Sequence, residues 1–216
     1  MSKKDLIIIG ASGHGKVVAE IAELTGQYNN IYFMDDFSEK KIFHGYKNLG
    51  SAKRIDQYKN KADFFVAIGD NAVRRDKLDA LIKEDYSIPT IIHPDAVISN
   101  TACIDKGTVV IAGAIINASS KIGIGCIINT KASIDHDCKL ENYVHISPGV
   151  TVAGNVSIGE GCWIGAGGTI SNNLTITEDT IVGAGALVVS NIYESGIYIG
   201  VPAKINSSLK DGSKFK

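Results

Sequence analysis

AVISNT ACIDKG TVVIAG AIINAS SKIGIG CIINTK, residues 96–131, opens a run of sixteen hexads that ends at Asn191. The third place of every hexad is Ile, Val or Leu, from Ile98, Ile104 and Val110 through to Val182 and Val188. Aliphatics fill roughly a quarter of ordinary sequence, so such a succession at one spacing is a repeat and not chance. The first place is mostly small. Neither the helical period nor strand alternation survives over this length, whereas a period of six describes a short strand and a turn. Three such edges close a triangular coil of 18 residues, whose aliphatics stack on the coil below into one narrow core. Neighbouring coils then lie about 4.8 Å apart, hydrogen-bonded as parallel strands. The hexads make about five coils without an insertion. Residues 93–205 therefore read as an all-β parallel β-helix. Its flat sides suit packing against copies of itself, and NIYESGIYIGVPAKI (191–205) caps its last coil.

Upstream, residues 1–92 alternate strand and helix. DLIIIG is a buried strand, GASGHG a turn, and KVVAEIAELTG a helix stopped by Gly26. IYFMDDF and DFFVAIGDN are further strands, AVRRDKLDALIKEDY a second helix and IPTIIH a last strand. This is a small Rossmann-like α/β domain with a mostly parallel sheet, lacking the later strands of a full dinucleotide fold. GASGHG runs from Gly10 to Gly15 as G-x-x-G-x-G, not the G-x-G-x-x-G of NAD enzymes, which argues against an oxidoreductase. A strand-to-helix turn still favours phosphate, because free N–H groups and the helix dipole point at it. Asp35 and Asp36 end the second strand, where they can accept hydrogen bonds from a base or ribose or simply close a polar strand end.

The formal net charge is −1 and no basic block occurs, so neither nucleic acid nor a membrane surface is an expected partner. The apolar run Leu6–Ile9 is too short for a signal segment, and no run reaches the roughly 18 residues of a membrane span. A cytoplasmic location is the expectation. Cys103, Cys126, Cys138 and Cys162 form no C-x-x-C, no histidine cluster has zinc spacing, and no metal is expected; all four read as reduced, buried small residues. Residues 206–216 read as a polar tail.

One hexad boundary departs from the pattern. Asp135-His136-Asp137 places a histidine between two acids, either a solvated corner or a site of proton transfer. One coil after His136 comes Gly154, which stacks about one strand spacing away. A glycine there admits a substrate to the backbone, or is a plain turn glycine. His145 lies half a coil from His136, so the two face different sides of one prism.

The hexads resemble the left-handed β-helix of hexapeptide-repeat acyltransferases; the hand comes from the resemblance, since ordinary crossovers are right-handed. IIIGASGHGKVV, FMDDF, FFVAIGDN, IIHPDAVIS, NTKASIDHDCKLENYVHISPGVTVAGNVSIG and GVPAK, across residues 5–205, are similar to the sugar O- and N-acyltransferases typified by sialic-acid O-acetyltransferases. Within that group they resemble the PglD-like UDP-4-amino-sugar N-acetyltransferases of bacillosamine biosynthesis. The resemblance implies a homotrimer with sites between protomers, acetyl-CoA as donor and a nucleotide sugar as acceptor. It implies His136 as general base and Asp137 as its orienting acid, with Asp135 the second choice and Asn129 in support. It puts acetyl-CoA against His145, Gly154, Ala166 and Ala184, with Trp163 either packing or touching CoA. It puts the nucleotide sugar against Ser12, Gly13, His14, Asp35, Asp36 and Gly69. Asn71 and Arg74 stand nearby, Arg74 being alternatively a helix-surface charge. Histidine suits the task because it exchanges a proton near neutral pH, and an adjacent carboxylate fixes its tautomer and raises its basicity. No cysteine matches a nucleophile position, so direct transfer is expected. The same scaffold with a sialic-acid hydroxyl or a GDP-sugar amine as acceptor remains an alternative, as does a non-catalytic nucleotide-binding β-helix module.

Overall fold

The computed structural model describes residues 3–38 and 40–207; the expected polar tail lies outside the described residues from position 208 on. Two compact units divide at Pro94 and Asp95. Among the described residues no helix is long and apolar enough to cross a membrane.

In the first unit β1 (Asp5–Ile9), β2 (Ile31–Met34) and β5 (Ala62–Val66) are flanked by α1 (Gly13–Thr25) and α2 (Asn71–Lys83). Between β2 and β5 run a hairpin, β3 (Ile42–Phe43) and β4 (Tyr46–Asn48), and a 3-10 turn, Ala52–Tyr58. The sheet order is β3-β4-β2-β1-β5, parallel except for β3 against β4. Leu6, Ile8, Phe33, Phe64, Val18 and Ile21 are its buried core. The hairpin was not anticipated. Its signal is His44-Gly45, both at positive φ, the twist a two-residue hairpin turn requires. Caps follow the chemistry of the sequence: Ser12 accepts from Gly15 N–H, Asp70 accepts from Val73 N–H, and Gly26 ends α1 at φ 61°.

The second unit is the left-handed parallel β-helix. Two-residue strands stack 18 residues apart in three sheets. Face A holds Ser133–Ile134 between Ile115–Ile116 and Thr151–Val152. Face B holds Lys139–Leu140 between Lys121–Ile122 and Ser157–Ile158. Face C holds His145–Ile146 between Ile127–Ile128 and Trp163–Ile164. Third-place side chains such as Ile134, Ile146, Ile164 and Val182 are fully buried, whereas second-place side chains are partly or fully exposed except Val109 and Ile127. Most first-place side chains are buried too, and several polar ones bond the carbonyl fifteen residues on: Thr108 to Gly123, Ser120 to Asp135, Cys138 to Ala153, Cys162 to Thr177.

This explains one correction. Cys126, Cys138 and Cys162 occupy first places and are buried, but Cys103 occupies a second place and is exposed. Sixth places carry a further signal that the third-place count overlooked. From Gly107 to Gly185 they turn the corners in the left-handed conformation, whether Gly or not: Lys131, Asp137, Tyr143, Asn155 and Asn173 have φ between 55° and 60°. Each such residue costs roughly 1–2 kcal/mol relative to glycine. The stacked coils hold it by a backbone bond to the coil before, as Asp137 N–H to Ala118 O and Asn155 N–H to His136 O, both 2.9 Å. At the end of the prism Ile197–Ile199 pairs with Ile181–Val182 and then with Lys204–Ile205. Leu187 N–H bonds Gly200 O and Ala203 N–H bonds Leu187 O, which caps the last coil.

Truncating a rung tests this core. Ile146→Ala should cost roughly 2–5 kcal/mol, read as a lower urea midpoint with little change in slope.

Candidate active site

His136 stands at the corner between faces A and B, open to solvent. Its Nδ1 lies 2.8 Å from Asp137 Oδ2. A carboxylate only accepts, so Nδ1 carries a proton, and in the neutral ring Nε2 keeps its lone pair. The left-handed bend at Asp137, φ 58°, folds that carboxylate back onto the preceding ring. Asp135 does a different job: its Oδ1 accepts from His136 backbone N–H at 2.8 Å and from Asn117 Nδ2 at 3.0 Å. Between the two acids, the geometry makes Asp137 the one that touches the ring. The pKa of His136 is raised, chiefly by the Asp137 hydrogen bond and then by the charge of Asp135. That of Asp135 is lowered by the His136 N–H first and Asn117 second. Asn117 escaped the sequence reading, although it lies one coil before Asp135.

Gly154 lies directly under the imidazole. A Cβ there would meet His136 Nε2 at 2.6 Å and Cε1 at 2.7 Å, closer than van der Waals contact allows. The absent side chain is therefore a requirement of the stacked ring, beyond any need of the turn.

The remaining β-helix candidates form a second group, on face C and the corner that follows it. His145 stacks on Trp163, ring centroids 6.1 Å apart and planes 14° apart. Its Nε2 lies 3.4 Å from Asn129 Nδ2, so within one protomer Asn129 sits beside His145. Trp163 Nε1 donates to Ser147 Oγ at 2.9 Å. Ala166 and Ala184, one coil apart, are exposed at the corner between faces C and A. Face C is the side of the triangle opposite the corner that carries His136. One protomer thus presents two separate groups.

The first unit gathers the other candidates at the carboxyl ends of β1, β2 and β5. The chain leaves β1 toward β2 on one side and returns through β5 on the other, the reversal at which such sheets bind ligands. The two loops touch, since a Cβ at Gly10 would lie 2.9 Å from Ala67 O; within the first turn a Cβ at Gly15 would lie 2.2 Å from Gly10 O. Gly13 and Gly69, by contrast, adjoin open space. Asp35 Oδ2 accepts from Ala11 N–H at 2.7 Å, and Oδ1 from Phe37 and Ser38 N–H at 2.8 and 2.9 Å. Asp36 accepts from Ser51 Oγ and Ala52 N–H, with Lys77 Nζ at 3.6 Å, and its pKa is lowered mainly by Ser51. Both carboxylates thus shape the crevice before any ligand arrives. Arg74 is no helix-surface charge: it is 1% exposed, with Nη1 on the carbonyls of Ile68 and Gly69 and Nη2 on Asn71 Oδ1. Its side chain turns back toward the start of α2, as helical side chains do. Burial and then the Arg74 charge push His14 down to about 4, so its imidazole is neutral near pH 7. Its Nε2 is enclosed and has no hydrogen-bond partner among the described residues. No group of three or more His, Cys, Asp or Glu among those residues could hold a metal ion.

A family model described as the PglD N-terminal domain matches residues 5–81. The acetyltransferase domain of PglB from Neisseria gonorrhoeae, solved with acetyl coenzyme A, is 38% identical, with TM-score 0.92 over 95% of this chain and 100% of that one. The chain belongs to the PglD-type acetyltransferase family. UDP-N-acetylbacillosamine N-acetyltransferase of Bacillus subtilis is 37% identical over 116 residues, 50% of this chain and 52% of that relative, so the chain spans about half of its length in that match. A histidine-to-asparagine mutant of perosamine N-acetyltransferase from Caulobacter crescentus, solved with CoA and GDP-perosamine, is 36% identical. Its TM-score is 0.90 over 95% of this chain and 98% of that one. The family's shared frame thus extends over both units, well past the N-terminal match.

Two tests follow from the corner geometry. Gly154→Ala should displace the His136 ring and lower acetyl transfer at least about tenfold, with a melting temperature within a few degrees of wild type. Asp137→Asn removes the main cause of the raised His136 pKa. A general base works only when unprotonated, so the acidic limb of the rate–pH profile should move to lower pH as the maximal rate falls.

Proposed function

We propose that this protein is an acetyl-CoA-dependent N-acetyltransferase for the 4-amino group of a UDP-4-amino-4,6-dideoxy sugar. The observation that carries the reading is His136: Nδ1 is committed to Asp137, which leaves Nε2 as the basic nitrogen of the neutral ring, above a side-chain-free Gly154. The neutral amine attacks the thioester carbonyl and forms the C–N bond. His136 Nε2 takes the proton the nitrogen loses, the C–S bond breaks, and the proton passes to the departing CoA sulfur. The Asp137 carboxylate steadies the imidazolium in between. Transfer is direct. Cys138, the thiol nearest this corner in sequence, is buried, bonds the carbonyl of Ala153 and has its pKa raised by burial, so it supplies no thiolate.

In this reading the crevice of the first unit holds the nucleotide sugar, with Ser12, Gly13 and His14 at the diphosphate and Asp35, Asp36, Gly69, Asn71 and Arg74 framing it. Acetyl-CoA runs along His145, Asn129, Ala166 and Ala184. His136 and His145 lie on opposite parts of one prism, so a shared site draws His145 from a neighbouring protomer of a homotrimer. The protein works in the cytoplasm, where acetyl-CoA and nucleotide sugars are made. A GDP-amino sugar is the second reading, favoured by the Caulobacter likeness.

Thiol release from acetyl-CoA across UDP-amino sugars, GDP-amino sugars and sialic acid tests the acceptor. His136→Ala should lose on the order of 10²- to 10⁴-fold; thiol release at the wild-type rate would remove the catalytic reading. Mixed trimers of His136→Ala and His145→Ala chains should regain part of the activity, and no recovery would remove the shared site.

A further inference from the structure

Phe37 is 95% exposed, the most exposed large apolar side chain among the described residues. A phenyl ring held in water contributes nothing to the core. Yet the loop does not leave its backbone loose. Asp35 Oδ1 accepts from Phe37 N–H at 2.8 Å and from Ser38 N–H at 2.9 Å. The other oxygen of that carboxylate accepts from Ala11 N–H at 2.7 Å, in the turn that leads into α1. One carboxylate therefore clamps the phosphate-favouring turn and the segment that carries Phe37. In a sheet of this winding, a diphosphate at the turn after β1 puts its ribose across the end of β2, with the base beyond. Phe37 follows the end of β2 by three residues.

We infer that Phe37 is the stacking platform for the nucleobase of the acceptor, and so a residue that sets affinity for a nucleotide over a bare sugar phosphate. The inference rests on the nucleotide-sugar reading above. Stacking uses the π-face that every base offers, so Phe37 favours a nucleotide without choosing between uracil and guanine. That choice falls to hydrogen-bonding groups at the base edge. The ring occupies open space, so its removal leaves no cavity and frees no buried polar group.

The test is binding of UDP and of GDP by calorimetry to wild type, Phe37→Ala and Phe37→Tyr, with steady-state kinetics on the best acceptor. Phe37→Ala should weaken binding of both nucleotides roughly five- to a hundredfold, the loss of one base–aromatic stack. It should raise the acceptor KM in step and leave kcat, the acetyl-CoA KM and the melting temperature unchanged. Phe37→Tyr should restore binding to within a factor of about three. Equal nucleotide affinity in Phe37→Ala and wild type overturns the stacking role while leaving the nucleotide-sugar reading intact. So does a tyrosine variant as weak as alanine, or a change in oligomeric state, which would assign the ring to a contact between copies. A wild-type protein that binds neither UDP nor GDP overturns the nucleotide-sugar reading itself, and this inference with it.

Discussion

The stacking of one aliphatic rung on the next, every 18 residues, is the constraint on which the β-helix depends. Each two-residue strand is too short to persist alone. It persists because its third-place side chain is buried between aliphatic neighbours and its backbone is bonded to the coils on either side, as in the series Ile116, Ile134, Val152. The same register that builds the core sets the chemistry. It holds His136 over Gly154, Asn117 beside Asp135 and His145 against Trp163, all pairs one coil apart. A rigid prism places these groups without the need for a mobile loop, which suits a base that must meet a reacting amine in one geometry.

The corners add a second constraint. From Gly107 to Gly185 every sixth-place residue adopts a left-handed conformation whatever its side chain. At Asp137 that demand becomes useful, because the bend returns the carboxylate to the ring before it. Its neighbour Asp135, on the strand side of the corner, is drawn instead to backbone and to Asn117. Two acids flanking one histidine thus take unequal parts: one fixes the tautomer, and the other adds field and anchors the chain. In the first unit Asp35 has a comparable ordering role, since its two oxygens join the turn after β1 to the segment after β2.

Much of the fold was legible from residues. The hexads announce their coil, Gly26 and Ser12 mark the ends of α1, and alternation of strand and helix announces the first unit. What was misread follows the same physics at finer grain. Composition alone points to a buried Cys103, because cysteine usually is; its second place in the hexad turns it outward. Arg74 was open to a surface reading because a helix-start arginine usually points to water, whereas here the carbonyls of Ile68 and Gly69 draw it inward. The hairpin at His44-Gly45 escaped because its strands are two and three residues long, too short to show a period.

By itself, the sequence determined that a β-helix forms, where its rungs lie and which residues share a column, because a strict repeat leaves a single stacking that buries every aliphatic. It determined the pairing of His136 with Gly154 for that reason. Only the tertiary structure decided that Asp137 and not Asp135 touches the imidazole, that Asn129 keeps company with His145, and that Arg74 is buried. Those outcomes depend on side-chain direction at corners and loops, where neighbours from distant parts of the chain compete for the same donors and no period in the sequence records the winner.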